Sequence, residues 1–161
     1  MELDDGRVLE LGTGSGAISL ALASIRKDLD ITATDVSEGA VEVAKLNAGD
    51  TEQEVTFFVS DMFENVDGNY DVVLANLPYV PVGARRQPEI TYEPDIALYG
   101  GDDGLDFYRR FFDQLDDYLV DDGFAVIEFS PTQYAQVREE FSRYLVEPIS
   151  EYIYVCKRRT S

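Results

Sequence analysis

Residues 7–23 read RVLELGTGSGAISLALA, an apolar run that enters a glycine-rich turn and leaves it as a helical pattern. Arg7–Leu11 predicts a buried strand, and Ala17 to about Arg26 has the apolar spacing of a helix. The three alternating glycines between them let the backbone turn tightly and approach a ligand, and the helix that follows offers free N–H groups. Their spacing is G-x-G-x-G rather than the G-x-G-x-x-G of dinucleotide-binding turns, and no Gly-Lys-Ser/Thr of a P-loop follows. We therefore predict a strand, a ligand-binding turn and a helix.

Outside this stretch, strands and helices continue to alternate. The further predicted strands are Asp30–Thr34, Val55–Ser60, Tyr70–Ala75, Phe124–Phe129 and Tyr152–Cys156, and the further predicted helices are Gly39–Asn47, Leu105–Leu119 and about Gln133–Tyr144. Asp121–Gly123 predicts a turn, and residues 80–104, rich in Pro and Gly, predict a long connection of the kind that forms lids or binding loops. The alternation predicts the α/β class: a single domain over residues 1–161 with a doubly wound, mostly parallel sheet. Ligands of such sheets bind at the carboxyl ends of the strands, beside the switch in strand order.

The composition narrows the chemistry open to this domain. The chain has 161 residues, of which 45% are hydrophobic, enough for one packed core. It has 13 Lys and Arg against 32 Asp and Glu, a net charge of −19, and such a surface disfavours nucleic acids and other polyphosphate partners. The chain has no histidine to act as a general base, and its single cysteine, Cys156, permits neither an internal disulfide nor a cysteine zinc cluster. We predict no metal site.

The hydropathy pattern indicates where the protein works. No apolar run approaches the roughly 18 residues that span a bilayer, and the acidic start MELDD does not resemble a signal peptide. We therefore expect no membrane partner and a reducing, cytoplasmic location.

Side chains that suit a nucleoside follow the second and third predicted strands. Asp35 ends the second strand, 19 residues past Gly16, where an acidic side chain can accept both hydroxyls of a ribose. After the third strand, Asp61 can receive an adenine amino group, and Met62 can pack on the ring. Because nothing here demands phosphate, the pattern predicts S-adenosylmethionine as the cofactor and a Rossmann-like class I methyltransferase fold. The predicted cofactor-binding residues are Glu10, Gly12, Thr13, Gly14, Ser15, Gly16, Asp35, Asp61, Met62 and Asn76.

The fourth predicted strand runs directly into Asn76-Leu77-Pro78-Tyr79. An amide nitrogen or an aromatic amino group is a poor nucleophile because its lone pair is delocalised. The Asn76 side-chain oxygen and the Leu77 carbonyl can each accept one of its N–H hydrogens, which aims the lone pair at a sulfonium methyl and stabilises the charge that develops on nitrogen. Pro78 stiffens the loop, and Tyr79 can stack on the planar group. These four residues are the predicted catalytic residues, and their chemistry needs no histidine base.

Several segments together resemble the HemK/PrmC protein N5-glutamine methyltransferases. The segments are LELGTGSGAISLALA, TATDVS, NLPY and EPDIALYGGDDGLDFYRRF (Glu93–Phe111), and the resemblance spans roughly residues 7–133. Members of this family methylate the glutamine of the GGQ loop in peptide-chain release factors. The resemblance implies that Gly12–Gly16, Asp35 and Asn76 bind the methyl donor and that Asn76–Tyr79 clamps the substrate amide. It also implies a release factor as the protein partner.

The chain departs from that family in three places. Leu77 replaces the first proline of the usual Asn-Pro-Pro-Tyr and still offers a carbonyl. The N-terminal helical domain of the family, which docks the release factor, is expected to be absent. Ser130-Pro131 stands where the family usually has a glycine, ahead of Gln133, which the resemblance includes.

Three functions stay open at this point. The first is a HemK-like enzyme that methylates a protein glutamine amide. The second is an N6-adenine methyltransferase acting on RNA or DNA, because Asn76–Tyr79 suits the amino group of a flipped-out base equally well. The net charge opposes it, since basic clusters such as Arg85-Arg86 and Lys157–Arg159 are few. The third is a non-catalytic module that binds the donor or a partner protein, which the missing N-terminal segment favours and the intact tetrapeptide opposes.

Overall fold

A computed structural model describes residues 5–49, 55–83 and 99–159 of this chain. Its strands are β1 (Arg7–Leu11), β2 (Asp30–Asp35), β3 (Val55–Val59), β4 (Tyr70–Ala75), β5 (Leu119–Glu128), β6 (Tyr144–Pro148) and β7 (Ile153–Arg158). Its helices are α1 (Ala17–Ile25), α2 (Glu38–Ala48), α3 (Asp106–Tyr118) and α4 (Tyr134–Glu140), with a short 3₁₀ helix at Pro131–Gln133. The predicted alternation of strands and helices is confirmed.

The seven described strands form one sheet in the order β3-β2-β1-β4-β5-β7-β6. Strands β1 to β5 pair in parallel, whereas β7 runs antiparallel between β5 and β6. The chain returns from the edge strand β3 to β4, which pairs with the free side of β1, so that Val8 lies opposite Val72. The strand order therefore switches between β1 and β4, which places the ligand-binding edge at the carboxyl ends of these strands. The predicted doubly wound, mostly parallel α/β sheet is confirmed.

Helix α3 supplies an aromatic core on one face of the sheet. Tyr108, Phe111, Phe112 and Leu115 are each 0% exposed, and their spacing puts them on one side of the helix. The ring of Tyr108 meets that of Phe129, the residue that follows β5, edge to face at 6.1 Å between centroids. Burying each such side chain contributes about 1.5–3 kcal/mol, so this packing fixes α3 against the strands.

The helix predicted over about Gln133–Tyr144 is wrong in its last four residues. The helix ends at Glu140, and Tyr144 begins β6, a strand that the sequence did not indicate. Phe141 and Tyr144 both pack on Phe112, with ring centroids 4.2 and 4.9 Å away. These two buried residues give the sequence the apolar spacing of a helix although the backbone is not helical there. The backbone there takes its hydrogen bonds from β7 instead of from a further helical turn.

Asp121–Gly123, predicted as a turn, lies inside β5, so that prediction is also wrong. The pairing of β4 with β5 shifts register here, because Tyr70 faces Leu119 while Val72 faces Phe124. The extra residues bulge from the ladder with the Asp121 and Asp122 side chains exposed, which explains why their composition resembles that of a turn.

The two ends of the predicted connection over residues 80–104 lie within the described part of the chain, and Arg85-Arg86 lies outside it. Val80 bridges to Tyr99, and the Gly100 N–H donates to the Val80 carbonyl at 2.9 Å. The Val82 N–H donates to the Gly101 carbonyl at 2.8 Å. The connection therefore begins and ends as one hydrogen-bonded pair of segments, which is separated from β4 by residues 76–79.

Candidate functional site

A cleft of about 1440 Å³ opens at the carboxyl ends of the parallel strands. Four predicted parts of the site contribute to its lining: the glycine loop (Gly12–Gly16), Asp35, Asp61 and the tetrapeptide loop (Asn76–Tyr79). A site for one small molecule usually occupies roughly 300–1,000 Å³. The cleft therefore has room for two reactants side by side.

The glycine loop follows a backbone path that favours glycine. Gly12, Gly14 and Gly16 have φ angles of +74°, +56° and +80°. A Cβ on Gly12 would lie 3.0 Å from the Asn76 carbonyl oxygen, so this glycine lets the glycine loop run against the tetrapeptide loop. Gly16 does not contribute to the lining formed by the described residues, because it is buried and a Cβ there would lie 3.1 Å from the Ala44 side chain. Its position serves the packing of the loop on α2.

Glu10 lies beneath the glycine loop with 1% of its surface exposed. Its Oε2 accepts hydrogen bonds from the Thr13 hydroxyl (2.8 Å), the Ser19 N–H (3.2 Å) and the Ser19 hydroxyl. Burial raises the pKa of Glu10 above its ordinary value, and the hydrogen bonds from Ser19 and Thr13 oppose that rise. The carboxylate ties the loop to α1 from below. Contact of Glu10 and Thr13 with a cofactor stays a prediction.

Asp35 stands at the end of β2 and is half-buried beside the glycine loop. Its Oδ2 accepts the Gly14 N–H at 2.9 Å, and its Oδ1 accepts the Ser37 N–H at 2.9 Å. Each carboxylate oxygen can accept a second hydrogen bond, so both stay able to bind a hydroxyl. These two hydrogen bonds orient the carboxylate and leave part of its acceptor capacity for a ligand.

Asp61 opens the turn after β3, and its Oδ1 accepts a hydrogen bond from Arg110 Nη2 of α3 at 2.9 Å. Met62 follows with left-handed backbone (φ +54°) and is 6% exposed. The Ser60 hydroxyl donates to the Met62 carbonyl (2.9 Å) and accepts the Asn65 N–H (3.0 Å), which holds this strained backbone in place. The turn therefore presents Asp61 to the cleft in one position. An adenine contact at Asp61 and Met62 stays a prediction.

The tetrapeptide loop lines the cleft next to the glycine loop. The Asn76 side chain is exposed, whereas Leu77 is 6% exposed. The Tyr79 hydroxyl donates to Glu128 Oε1 (3.0 Å), and the Tyr79 carbonyl accepts from Gln133 Nε2 (3.0 Å). The loop thus sets the exposed Asn76 amide beside the glycine loop, where its oxygen can accept a hydrogen of a group that bears N–H hydrogens.

The lining also includes residues that were not among the predicted site residues, among them Phe107 and Arg110 of α3, Glu128 at the end of β5, and Gln133. Phe107 and Arg110 fall in the segment Glu93–Phe111, where the resemblance marked the family but gave these two no role. Gln133 also lies within the resemblance. No sequence signal marks Glu128, which reaches the cleft because β5 lies next to β4 in the sheet.

The lining of the cleft is acidic. Among the described residues it contains the carboxylates of Glu10, Asp35, Asp61 and Glu128 against one guanidinium, Arg110, which pairs with Asp61. A phosphate would meet net negative charge there, whereas a cationic ligand would be attracted. Within the same described residues, no group of three or more His, Cys, Asp or Glu side chains could hold a metal ion, and no helix is long and apolar enough to cross a bilayer.

Comparison with known proteins agrees with this geometry. Residues 1–92 match the model of a family described as the methyltransferase small domain. The chain belongs to this family. A release factor glutamine methyltransferase of Streptococcus pneumoniae is 37% identical over 143 residues, covering 87% of this chain and 51% of that protein. A ribosomal protein uL3 glutamine methyltransferase of Francisella tularensis is 37% identical over 140 residues, covering 83% of this chain and 45% of that protein.

The resemblance to glutamine methyltransferases is thereby confirmed for this methyltransferase domain, which spans about half the length of the curated relatives it matches. The solved structure of a methyltransferase from Pyrococcus furiosus has a TM-score of 0.71 at 21% sequence identity, over 95% of this chain and 74% of that chain. That likeness concerns the fold, and it confirms the predicted class I methyltransferase fold.

Proposed function

We propose that this methyltransferase domain transfers a methyl group from S-adenosylmethionine to the side-chain amide nitrogen of a protein glutamine, with a peptide-chain release factor as the partner. The observation that carries the proposal is the contact between the two loops, where a Cβ on Gly12 would lie 3.0 Å from the Asn76 carbonyl oxygen. A donor on the glycine loop and an acceptor on the tetrapeptide loop would share this boundary. Relatives named release factor glutamine methyltransferase reach 40% identity to this chain, which supports the choice of acceptor.

The lining of the cleft fits S-adenosylmethionine. This cofactor supplies an electrophilic methyl group on a sulfonium sulfur. Asp35, already oriented by the Gly14 and Ser37 N–H groups, would accept the ribose hydroxyls. Asp61 would accept the adenine amino group, and Met62 would pack on the ring. The acidic lining favours a cationic, phosphate-free donor over a nucleotide.

The tetrapeptide loop would orient the acceptor. The Asn76 side-chain oxygen and the Leu77 main-chain carbonyl would each accept one hydrogen of the glutamine NH₂ group, aiming the nitrogen lone pair at the methyl carbon. Leu77 in place of proline leaves this carbonyl available, and its buried side chain anchors the loop in the core. The proton lost from nitrogen passes to solvent, so no general base is required. Tyr79, tethered to Glu128, would lie on the planar amide.

The charges favour a protein over a nucleic acid as the acceptor. The chain carries −19, and a cationic surface patch is what binds a phosphate backbone. Within the basic cluster Lys157–Arg159, Arg158 Nε already pairs with Asp116 at 2.8 Å. We infer that residues 1–161 act as one catalytic domain on a protein in the cytoplasm.

The test combines donor binding with methyl transfer. Isothermal calorimetry should detect S-adenosylmethionine binding, and labelled methyl should pass to a release factor and not to a variant with Gln replaced by Asn in its GGQ loop. Absence of donor binding would overturn the proposal. Transfer to RNA would move the function to adenine methylation, and transfer to a ribosomal protein alone would keep the glutamine chemistry but change the partner.

A further inference from the structure

The Gln133 side chain joins three separate segments at the edge of the cleft. Its Nε2 donates to the Tyr79 carbonyl (3.0 Å) and to the Asp103 carbonyl (2.9 Å), while its Oε1 accepts the Ser130 N–H (3.1 Å). The residue is 6% exposed. A buried primary amide has two N–H donors and one carbonyl acceptor, and here all three functions are used. No other neutral side chain of this length offers two donors and an acceptor on one group.

The segment Gly100–Gly104 closes on the tetrapeptide loop at the same place. A Cβ on Gly100 would lie 2.5 Å from the Pro78 carbonyl oxygen, and a Cβ on Gly104 would overlap the Tyr79 carbonyl and lie 2.6 Å from Gln133 Nε2. The glycines thus let this segment approach the loop closely enough for one amide to bridge Tyr79 and Asp103. The last residue of the tetrapeptide loop is held by Gln133, and none of these contacts reaches the glycine loop.

We propose that Gln133 is a positioning residue: it sets the place of the tetrapeptide loop and, through that loop, the rate of methyl transfer, without contributing to donor affinity. The proposal deepens the proposed function and rests on it for its kinetic part. Its structural part concerns the loop alone and can be measured without any substrate.

Gln136 provides a matched control. It lies three residues further on, in α4, and its Nε2 also donates to Asp103, but to the half-buried carboxylate Oδ2 at 2.7 Å instead of the main chain. Both residues therefore have the same side chain and contact Asp103, but only Gln133 donates a hydrogen bond to Tyr79. Gln133→Met keeps the length of the side chain and loses every hydrogen bond. Gln133→Glu keeps the acceptor for the Ser130 N–H and loses both donors. Gln136→Met is the control variant.

Hydrogen exchange measures the position of the loop. The amides of Gly100 and Val82 donate across the pair of segments that follows the tetrapeptide loop, whereas the Thr13 amide donates to Thr34 in the glycine loop (2.9 Å). We expect Gln133→Met and Gln133→Glu to speed exchange at Gly100 and Val82 by about tenfold, because both variants lose the hydrogen bonds to Tyr79 and Asp103, and to leave Thr13 unchanged. Gln136→Met should leave all three amides as in the wild type.

Kinetics measures the consequence. Because a displacement of about 1 Å in a positioning group can cost about 100-fold in rate, we expect both Gln133 variants to lower kcat by about 10- to 100-fold. The calorimetric Kd for S-adenosylmethionine should stay within about twofold of the wild type, a change below 0.5 kcal/mol. Gln136→Met should retain wild-type kcat and Kd.

The outcomes separate this inference from the proposed function. Faster exchange at Gly100 and Val82 with lower kcat and unchanged Kd supports the role of Gln133. Unchanged exchange, an equal acceleration at Thr13, or wild-type kcat in both Gln133 variants overturns it. If the wild type transfers no methyl to any glutamine-containing protein, the proposed function fails, and hydrogen exchange by itself decides whether Gln133 positions the loop.

Discussion

The glycine loop and the tetrapeptide loop face one cleft, but the structure holds them in different ways. Two carboxylates support the glycine loop: Glu10 from below and Asp35 from the side, through hydrogen bonds of 2.8–3.2 Å to Thr13, Ser19 and Gly14. The tetrapeptide loop is supported by the neutral amide of Gln133 and by the Tyr79–Glu128 hydrogen bond. One loop rests mainly on ionisable groups near it in the chain, and the other on groups about 50 residues away.

This difference separates two tasks. The glycine loop is fixed by the same Asp35 that we propose binds the ribose, so donor binding and loop structure are coupled there. The tetrapeptide loop carries its reacting groups on an exposed edge, and Gln133 holds it from the buried side. We therefore expect substitutions around the first loop to change donor affinity and stability together, and substitutions around the second to change turnover without changing donor affinity.

The largest effect should come from Asn76→Ala, which removes the side-chain acceptor for the glutamine N–H. Loss of one preorganised hydrogen bond to a reacting group typically costs about 10²–10³ in kcat. Asn69→Ala is the control, because Asn69 precedes β4 as Asn76 follows it, and its exposed side chain donates to the Asp117 carbonyl at 2.9 Å. Labelled methyl transfer by purified variants gives the comparison. Turnover by Asn76→Ala similar to that of Asn69→Ala would contradict the clamp.

A smaller effect should follow from placing a methyl group between the two loops. Alanine at Gly12 or Gly14 costs about 1–2 kcal/mol in backbone strain, because both have positive φ. A Cβ on Gly12 meets the Asn76 carbonyl oxygen at 3.0 Å, whereas a Cβ on Gly14 has nothing within 4 Å. We expect similar losses of Tm from the two, and an additional loss of transfer of about tenfold in Gly12→Ala alone. Equal transfer by the two variants would show that the loops act independently.

The glycine loop could be predicted from the sequence because its structure is local. Three alternating glycines after an apolar strand require a tight turn wherever they occur, and all three have positive φ. The carboxyl ends of β1, β2 and β4 meet at one edge as a consequence of parallel pairing, so Asp35 and Asn76 could be placed beside that turn without coordinates.

The support of the tetrapeptide loop could not be predicted in the same way. Gln133 acts through main-chain carbonyls at Tyr79 and Asp103, and any residue offers a carbonyl, so the sequence carries no sign of the partner. Strand β6 was missed for a related reason. Tyr144 is buried by Phe112 and paired with Arg158 of β7, two contacts fixed by tertiary packing that overrides a helix-like apolar spacing.

The pH dependence of stability should distinguish the two supports. Burial raises the pKa of Glu10, so the folded state binds this proton more tightly than the unfolded state. The contribution of Glu10 to the free energy of unfolding is therefore largest below its ordinary pKa of 4.5 and declines as the pH rises through the folded pKa. Glu10→Gln removes this titration. We expect the stability of the wild type minus that of Glu10→Gln, from urea unfolding, to fall as the pH rises above 4.5 and then to level off.

The control for that experiment is Gln133→Met, whose stability relative to the wild type should be constant over the same pH range because an amide does not titrate there. A difference between wild type and Glu10→Gln that is independent of pH would contradict the assignment of this titration to Glu10. If the stability difference between the wild type and Gln133→Met also fell with rising pH, the titration would belong to the tetrapeptide loop instead.

The smallest effects should come from Arg109 and Arg110, two adjacent arginines of α3 that contact different segments around the cleft. Arg109 binds both carboxylate oxygens of Asp103, at 3.0 and 2.6 Å, and holds the pKa of Asp103 well below its usual range, next to the carbonyl that Gln133 binds. Arg110 instead pairs with Asp61 at 2.9 Å. Partly exposed ion pairs contribute about 0.2–1 kcal/mol, so each change should be less than about sixfold. We expect Arg110→Ala to weaken S-adenosylmethionine binding at constant kcat and Arg109→Ala to lower kcat at constant Kd. Because the two residues are neighbours on one helix, a shared loss of helix stability would change both kcat and Kd in both variants. A change of Kd alone in Arg110→Ala and of kcat alone in Arg109→Ala would arise only if α3 supports the two sites through separate contacts.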